Sequence, residues 1–334
     1  MKVMTTLLVG TMVLATAAFS ARGQEQESRQ RPAVIVVVGA PGTPEYGAQF
    51  AKWADLWRQA CSKGEASFTA IGLDEAEAPG GDRTKLREML DDESGQTAAA
   101  LWLVLIGHGT FDGHTAKFNL RGPDISAYDL ARWLEPVRRP VAIINTTSSS
   151  APFLSKLSAP GRVVITATKS GFEQNYARFG EYLAGSIAEP QADLDKDGQT
   201  SLLEAFLTAS HRVDEFYSAA GRLTTERALL DDNGDGLGTR ADWFRGIRPV
   251  QKASDDAPID GYRAHQFHLV PSEIEMKMTL DLREQRDRLE LDVMKLRDRK
   301  EEFSEDEYFS KLEALLFDIT KIYDQADNAG DKPQ

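Results

Sequence analysis

The sequence is poor in the residues that most small exported or catalytic proteins rely on. Its 334 residues include one cysteine, Cys61. A single thiol cannot close an intramolecular disulfide, so a disulfide framework is excluded. There are five histidines, and for His265 and His268 no cysteine or carboxylate stands at the spacing a transition-metal site needs. His265 and His268 stand three apart in a stretch that reads as a strand, which puts them on opposite faces. Lysine and arginine number 39 against 52 aspartates and glutamates, for a formal net charge of −13, and no long basic run exists. Nucleic acid, bound mainly by neutralising phosphates, is therefore excluded as a partner. Beyond the first twenty residues no apolar stretch is long enough to span a bilayer.

What is present begins with a leader. MKVMTTLLVGTMVLATAAFS carries one early lysine and then small and apolar residues, followed by the small-x-small pattern Ala21-Arg22-Gly23. This predicts a cleaved secretory signal over residues 1–23 and export to the periplasm or the medium, with an uncleaved anchor as the alternative. Loss of Lys2 and Arg22 takes the formal charge to −15. Residues 24–32 are polar and read as a spacer.

Buried-strand runs then alternate with amphipathic helices. Strands are expected at 33–39, 67–71, 100–106, 141–144 and 162–168. Helices are expected at 45–60, 82–90 and 124–134. Alternation of this kind predicts a mostly parallel sheet covered on both faces, with ligands bound beyond the carboxyl ends of the strands. Three segments follow strand ends and are expected to share that rim: Gly107-His108-Gly109, the hydroxyl run Thr146-Thr147-Ser148-Ser149-Ser150, and residues 169–175. Cys61, at the end of the first helix, reads as a packing residue.

A histidine after one buried strand and a nucleophile position after the next resembles the legumain-like and caspase-like cysteine peptidases. The likeness is carried by residues 103–109 with Asp112-Gly113, by Phe118-Asn119-Leu120, by 141–144 with the hydroxyls after it, and by 162–168 with the following loop. It covers residues 33–188. It implies an α/β, caspase-like three-layer fold with His108 as the imidazole of the site. The family's cysteine falls on Thr147, or one residue on at Ser148. A thiolate works with one histidine, whereas a hydroxyl needs a base that a third group orients. Two readings stay open: a structural or vestigial cluster, or a converted hydrolase using Thr147 or Ser148 with His108.

Further on, Asp193-x-Asp195-x-Asp197-Gly198-Gln199-x-Ser201-x-x-Glu204 fits the twelve-residue EF-hand loop. Asp193, Asp195 and Asp197 would supply side-chain oxygens, Gln199 a carbonyl, Ser201 a direct or water-mediated contact and Glu204 both carboxylate oxygens, so calcium is the expected cofactor. Thr200 departs from the pattern where a branched aliphatic is usual. A second loop starts 38 residues later with Asp231, Asn233 and Asp235, and its twelfth position is the shorter Asp242. The spacing suits paired EF-hands sharing a helix over 202–219.

From residue 273 the pattern becomes helical. Leu282, Leu289, Leu296 and Phe303 repeat at seven, Ser304-x-x-Glu307 is a capping box, and Tyr308, Leu312, Leu315, Ile319 and Ile322 follow at threes and fours. An αα-hairpin over 273–325 is expected, with a face that packs on the main domain or on a second copy. The chain thus divides into a leader, an α/β unit over 33–190, a calcium-loop segment over 191–250 that completes it, and the hairpin. The reading that joins these parts is an exported pseudopeptidase that binds a peptide or protein at the rim or acts as a scaffold. An active hydrolase is the alternative, and a third reading makes the hairpin the working part.

Overall fold

The computed structural model describes residues 31–74, 81–95, 97 and 99–330. The expected signal segment lies outside the described residues. The strands of the main sheet and of a small meander are, in chain order, β1 (Ala33–Val38), β2 (Ser67–Ile71), β3 (Leu101–Ile106), β4 (Gly109–Phe111), β5 (Ala116–Phe118), β6 (Ile125–Ser126), β7 (Val141–Asn145), β8 (Arg162–Thr166), β9 (Leu229–Asp231) and β10 (Thr239–Arg240), and a separate two-stranded ribbon follows at Phe244–Arg245 and Arg248–Pro249. The main sheet runs β10-β9-β8-β7-β3-β1-β2. Its five strands from β2 to β8 are parallel, and β9 and β10 extend it as an antiparallel edge.

The continuous apolar runs are explained by burial on both faces. Val34, Val36, Trp102, Val104, Ala142 and Ile144 pack under α1 (Pro44–Lys63) and two later helices, α5 (Phe179–Ser186) and α6 (Leu202–Ala219). The alternate residues Ile35, Val37, Leu103, Leu105 and Ile143 pack under α2 (Gly81–Asp92), α3 (Ala127–Leu134) and α4 (Ala151–Leu157). The α/β fold with a mostly parallel sheet is therefore as the sequence leads one to expect. β1 pairs with β2 on one side and β3 on the other, so the winding reverses there. The carboxyl ends of β1 and β3 form the switch point, where doubly wound sheets hold their ligands.

Three features depart from the sequence reading. First, a small meander, β4-β5-β6, separates β3 from α3. Second, the α/β unit runs on past residue 250. Ala264, Phe267 and Leu269 are buried in its core, and the Phe267 ring meets Trp102 at 5.7 Å. His265 ends a short helix, α7 (Tyr262–His265), rather than lying in a strand, and its ring is 6.3 Å from that of His268. Third, the first arm of the hairpin is broken. It forms α8 (Glu273–Lys277) and α9 (Leu280–Asp298), with α10 (Glu305–Gly330) as the return arm. Thr279 caps the restart, accepting from Leu282 N at 3.3 Å. The break lets Glu275 reach Arg286. Both are buried and ion-paired, and Arg286 Nη2 also bonds Asp287 at 2.6 Å. The hairpin interior is thus part leucine seam and part ion pair.

Candidate functional site

The rim gathers the residues expected there, and each of them is held by its own local contacts. His108 follows β3. Its Nε2 lies 3.1 Å from the Pro41 carbonyl, and its ring is wedged edge-on against Tyr46 at 4.9 Å and Phe50 at 5.3 Å, both from α1. Tyr176, after the β8 loop, closes over Tyr46 at 4.9 Å and donates to Gln49 Oε1 at 2.6 Å. Burial pushes the Tyr176 hydroxyl well above its usual range.

The five hydroxyl residues after β7 are all buried. Thr146 donates to the Leu105 carbonyl at 2.8 Å. Thr147 is fully buried, and its Oγ1 lies 2.7 Å from Asn145 Oδ1 and 3.1 Å from the Ser148 carbonyl. Ser148 donates to the Gly109 carbonyl at 3.2 Å. Ser150 and Thr168 bond each other at 3.1 Å. Ser149 sits at φ 55°, a left-handed conformation unusual for a residue other than glycine, and its hydroxyl has no partner among the described residues. β4 is pressed so closely on this loop that a Cβ at Gly109 would lie 2.2 Å from the Ser148 carbonyl oxygen and 2.7 Å from Thr147 Oγ1. The approach brings the His108 segment beside the hydroxyls, yet no hydrogen bond joins His108 to Thr147 or Ser148 among the described residues. Asp112, the carboxylate nearest in sequence, accepts from its own turn at Thr115 N (2.7 Å) and His114 N (2.8 Å). Those backbone bonds hold its pKa below the usual range. Among the described residues its carboxylate bonds no imidazole. Cys61 is a buried packing residue whose thiol burial pushes up to about 12.

The first acidic loop is different in kind. One carboxylate oxygen from each of Asp193, Asp195 and Asp197 falls within 4.8 Å of the others. The loop backbone holds them there. Asp193 accepts from Lys196 N (2.6 Å) and Gly198 N (3.2 Å), Asp195 from Asp197 N (3.3 Å), and Asp197 from Gln199 N (3.0 Å). Burial, together with its acidic neighbours, raises the Asp197 pKa. A convergent set of three hard oxygen donors fits a divalent cation such as calcium. Glu204 and Ser201 are spent otherwise: Glu204 accepts from Leu194 N (2.7 Å), Asp195 N (3.2 Å) and Ser201 N (2.8 Å), while Ser201 caps α6. Gln199 Oε1 takes Ser272 N at 3.0 Å. Thr200, the departure from the motif, donates to the Glu189 carbonyl at 3.1 Å.

The second loop repeats the first bond for bond. Asp231 accepts from Gly234 N (3.0 Å) and Gly236 N (2.9 Å), Asn233 from Asp235 N (2.8 Å), and Asp235 from Leu237 N (2.7 Å). It joins β9 to β10, so the two loops are not EF-hands sharing α6. Asp242 does not close it. That residue is exposed on a short turn and ion-paired to Arg240. A residue that sequence reasoning missed takes the closing place. Asp260 accepts from Asp232 N (3.0 Å), Asn233 N (3.2 Å) and Thr239 Oγ1 (2.6 Å). These are the loop positions that Glu204 binds in the first copy. Burial, and next the charge of Asp232, raise the Asp260 pKa. Lying 28 residues from Asp232, Asp260 left no trace in the motif. The only sequence hint is a lone Asp-Gly after a proline-bearing connection.

No protein-family model and no curated protein matches the sequence. Among solved structures the chain is similar to caspase-1 from Spodoptera frugiperda, with a TM-score of 0.40 and 9% identity over 61% of this chain and 86% of that one. It is also similar to the Drosophila initiator caspase Dronc, with a TM-score of 0.37 and 13% identity over 64% of this chain and 84% of that one. Scores of this size add nothing to the α/β assignment, which stands on strand order and layering.

Proposed function

We propose that this protein is an exported pseudopeptidase of the legumain and caspase type, braced by calcium at its acidic loops and serving to bind or scaffold a peptide or protein partner. One observation carries the reading. The hydroxyl at the nucleophile position, Thr147, is buried and turned to Asn145, while His108 is turned to the Pro41 carbonyl. A hydroxyl needs an oriented base in contact with it, and this arrangement supplies none. Export rests on the leader. Calcium rests on the loop spacing and on the convergent aspartates.

A second reading, hydrolysis by a hydroxyl, is favoured by one fact alone: Ser148 lies against Gly109, next to His108. Thiol restoration tests the lineage and the register together. In Thr147→Cys and Ser148→Cys, an electrophilic peptide should label one introduced thiol, and His108→Ala should suppress that labelling. Labelling of neither variant would overturn the placement of the site.

A further inference from the structure

Residues 260–272 touch both acidic loops, the α/β core and the hairpin in turn. At one end Asp260 clasps the second loop, and the clasp is reciprocal: Asp232 accepts from Gly261 N (2.9 Å) and Ala264 N (2.7 Å). In the middle, His265 Nε2 lies 2.9 Å from Asp195 Oδ2 of the first loop. At the far end Ser272 N donates to Gln199 Oε1 at 3.0 Å. Between these points Phe267 O accepts from Leu202 N at 2.8 Å, and Ala264 and Leu269 are fully buried, so the segment is fixed to the body. Two of its polar side chains bond the hairpin. Tyr262 OH donates to Asp298 at 2.7 Å, and Gln266 Nε2 donates to the Asp287 carbonyl at 2.7 Å, both on α9.

We propose that residues 260–272 form a strap through which the two acidic loops seat the C-terminal hairpin. The physical reason is shared hydrogen bonding. The backbone that satisfies Asp232 and takes its place beside Gln199 is the same short stretch that presents Tyr262 and Gln266 to α9. Loosening either loop slackens the end of the strap that it holds, and a slack strap weakens the two polar anchors of α9. Any ligand that stiffens the loops tightens the hairpin by the same path, because order imposed at one site lowers the cost of order at the next. The cation side of this proposal rests on the calcium reading above. The mechanical side does not.

Hydrogen exchange on the full chain tests both sides. Asp260→Ala should speed exchange of α9 and α10 amides by about tenfold or more while β1 and β3 amides hold. Asp242→Ala, at an exposed residue paired only with Arg240, should leave all four elements unchanged. Slackened loop amides with α9 and α10 unmoved would overturn the strap. Should Asp260→Ala fail to fold, the double variant Tyr262→Phe, Gln266→Ala probes the strap from the hairpin side. It should slacken α9 and α10 alone, and unchanged exchange there would equally overturn the proposal. Calcium added to the wild type should slow α9 and α10 exchange, with binding followed in parallel by calorimetry. No heat of binding would reject the calcium reading and leave the strap to be judged by the variants. Binding without any slowing of α9 and α10 would reject the strap and leave the calcium reading standing.

Discussion

The rim and the first acidic loop are both clusters of polar side chains at element ends, and they spend their polar atoms in opposite ways. At the rim, Thr146, Thr147, Ser148 and Ser150 turn their hydroxyls into the protein, onto carbonyls, onto Asn145 or onto Thr168. In the loop, backbone N–H groups brace Asp193, Asp195 and Asp197 from behind, and their oxygens converge. Hydrogen bonds that consume a nucleophile remove chemistry, whereas hydrogen bonds that position an acceptor prepare it. On the proposed reading, chemical capacity sits at the loop rather than at the position where the resemblance to peptidases would look for it.

The largest expected effect that sharpens this contrast is at Glu204. Glu204→Ala strips bonds from Leu194 N, Asp195 N and Ser201 N at a buried position. It should cost about 3 kcal/mol or more, since each buried group left unpaired costs about 1–3 kcal/mol. Thermal melts should show the loss, and calorimetry should show the heat of calcium binding to this loop abolished. An unchanged melting temperature would break the comparison from the loop side. Next is the pair Asp260→Ala and Asp242→Ala. The first should destabilise by about 2 kcal/mol, and the second should stay within about 0.5 kcal/mol, as exposed substitutions do. Equal effects in denaturant titrations would contradict the assignment of Asp260 as the closing residue. At the rim, Thr147→Val keeps the side-chain shape, deletes the hydroxyl and leaves Asn145 Oδ1 with only Thr147 N. About 1 kcal/mol should be lost. A gain in stability would mean the hydroxyl is held there for function rather than for structure.

A separate effect concerns pH. Burial, then the nearby positive charges of His265 and Arg286, lowers the His268 pKa to about 3. The unfolded chain binds this proton near the ordinary value of 6.5. A depressed base of this kind contributes stability above 6.5 that is lost as pH falls toward 3. On acidification through that window the wild type should lose melting temperature relative to His268→Gln. Parallel curves would show that His268 is not the titrating group.

The sequence displays its sheet because strands buried on both faces need continuous apolar runs, and residues 101–106 or 141–144 leave no other reading. It conceals the meander, whose strands are two or three residues long and carry no periodicity. The break before α9 is marked only by Thr279, a capping residue just ahead of the first heptad leucine, Leu282. The first loop could be read because all its groups lie within twelve residues. Closure of the second could not, because Asp260 reaches it through the fold. Least visible was the direction of the rim hydroxyls. Thr147 beside a histidine segment reads equally well as nucleophile or as filler until Asn145 is seen to hold it.

Peptide turnover by the unmodified full-length chain, measured beside His108→Ala over a broad peptide library with calcium present, tests the central claim most directly. The account predicts no turnover above buffer in either protein. Robust turnover by the unmodified chain that disappears in His108→Ala would contradict it, and would establish a hydroxyl hydrolase in place of a pseudopeptidase.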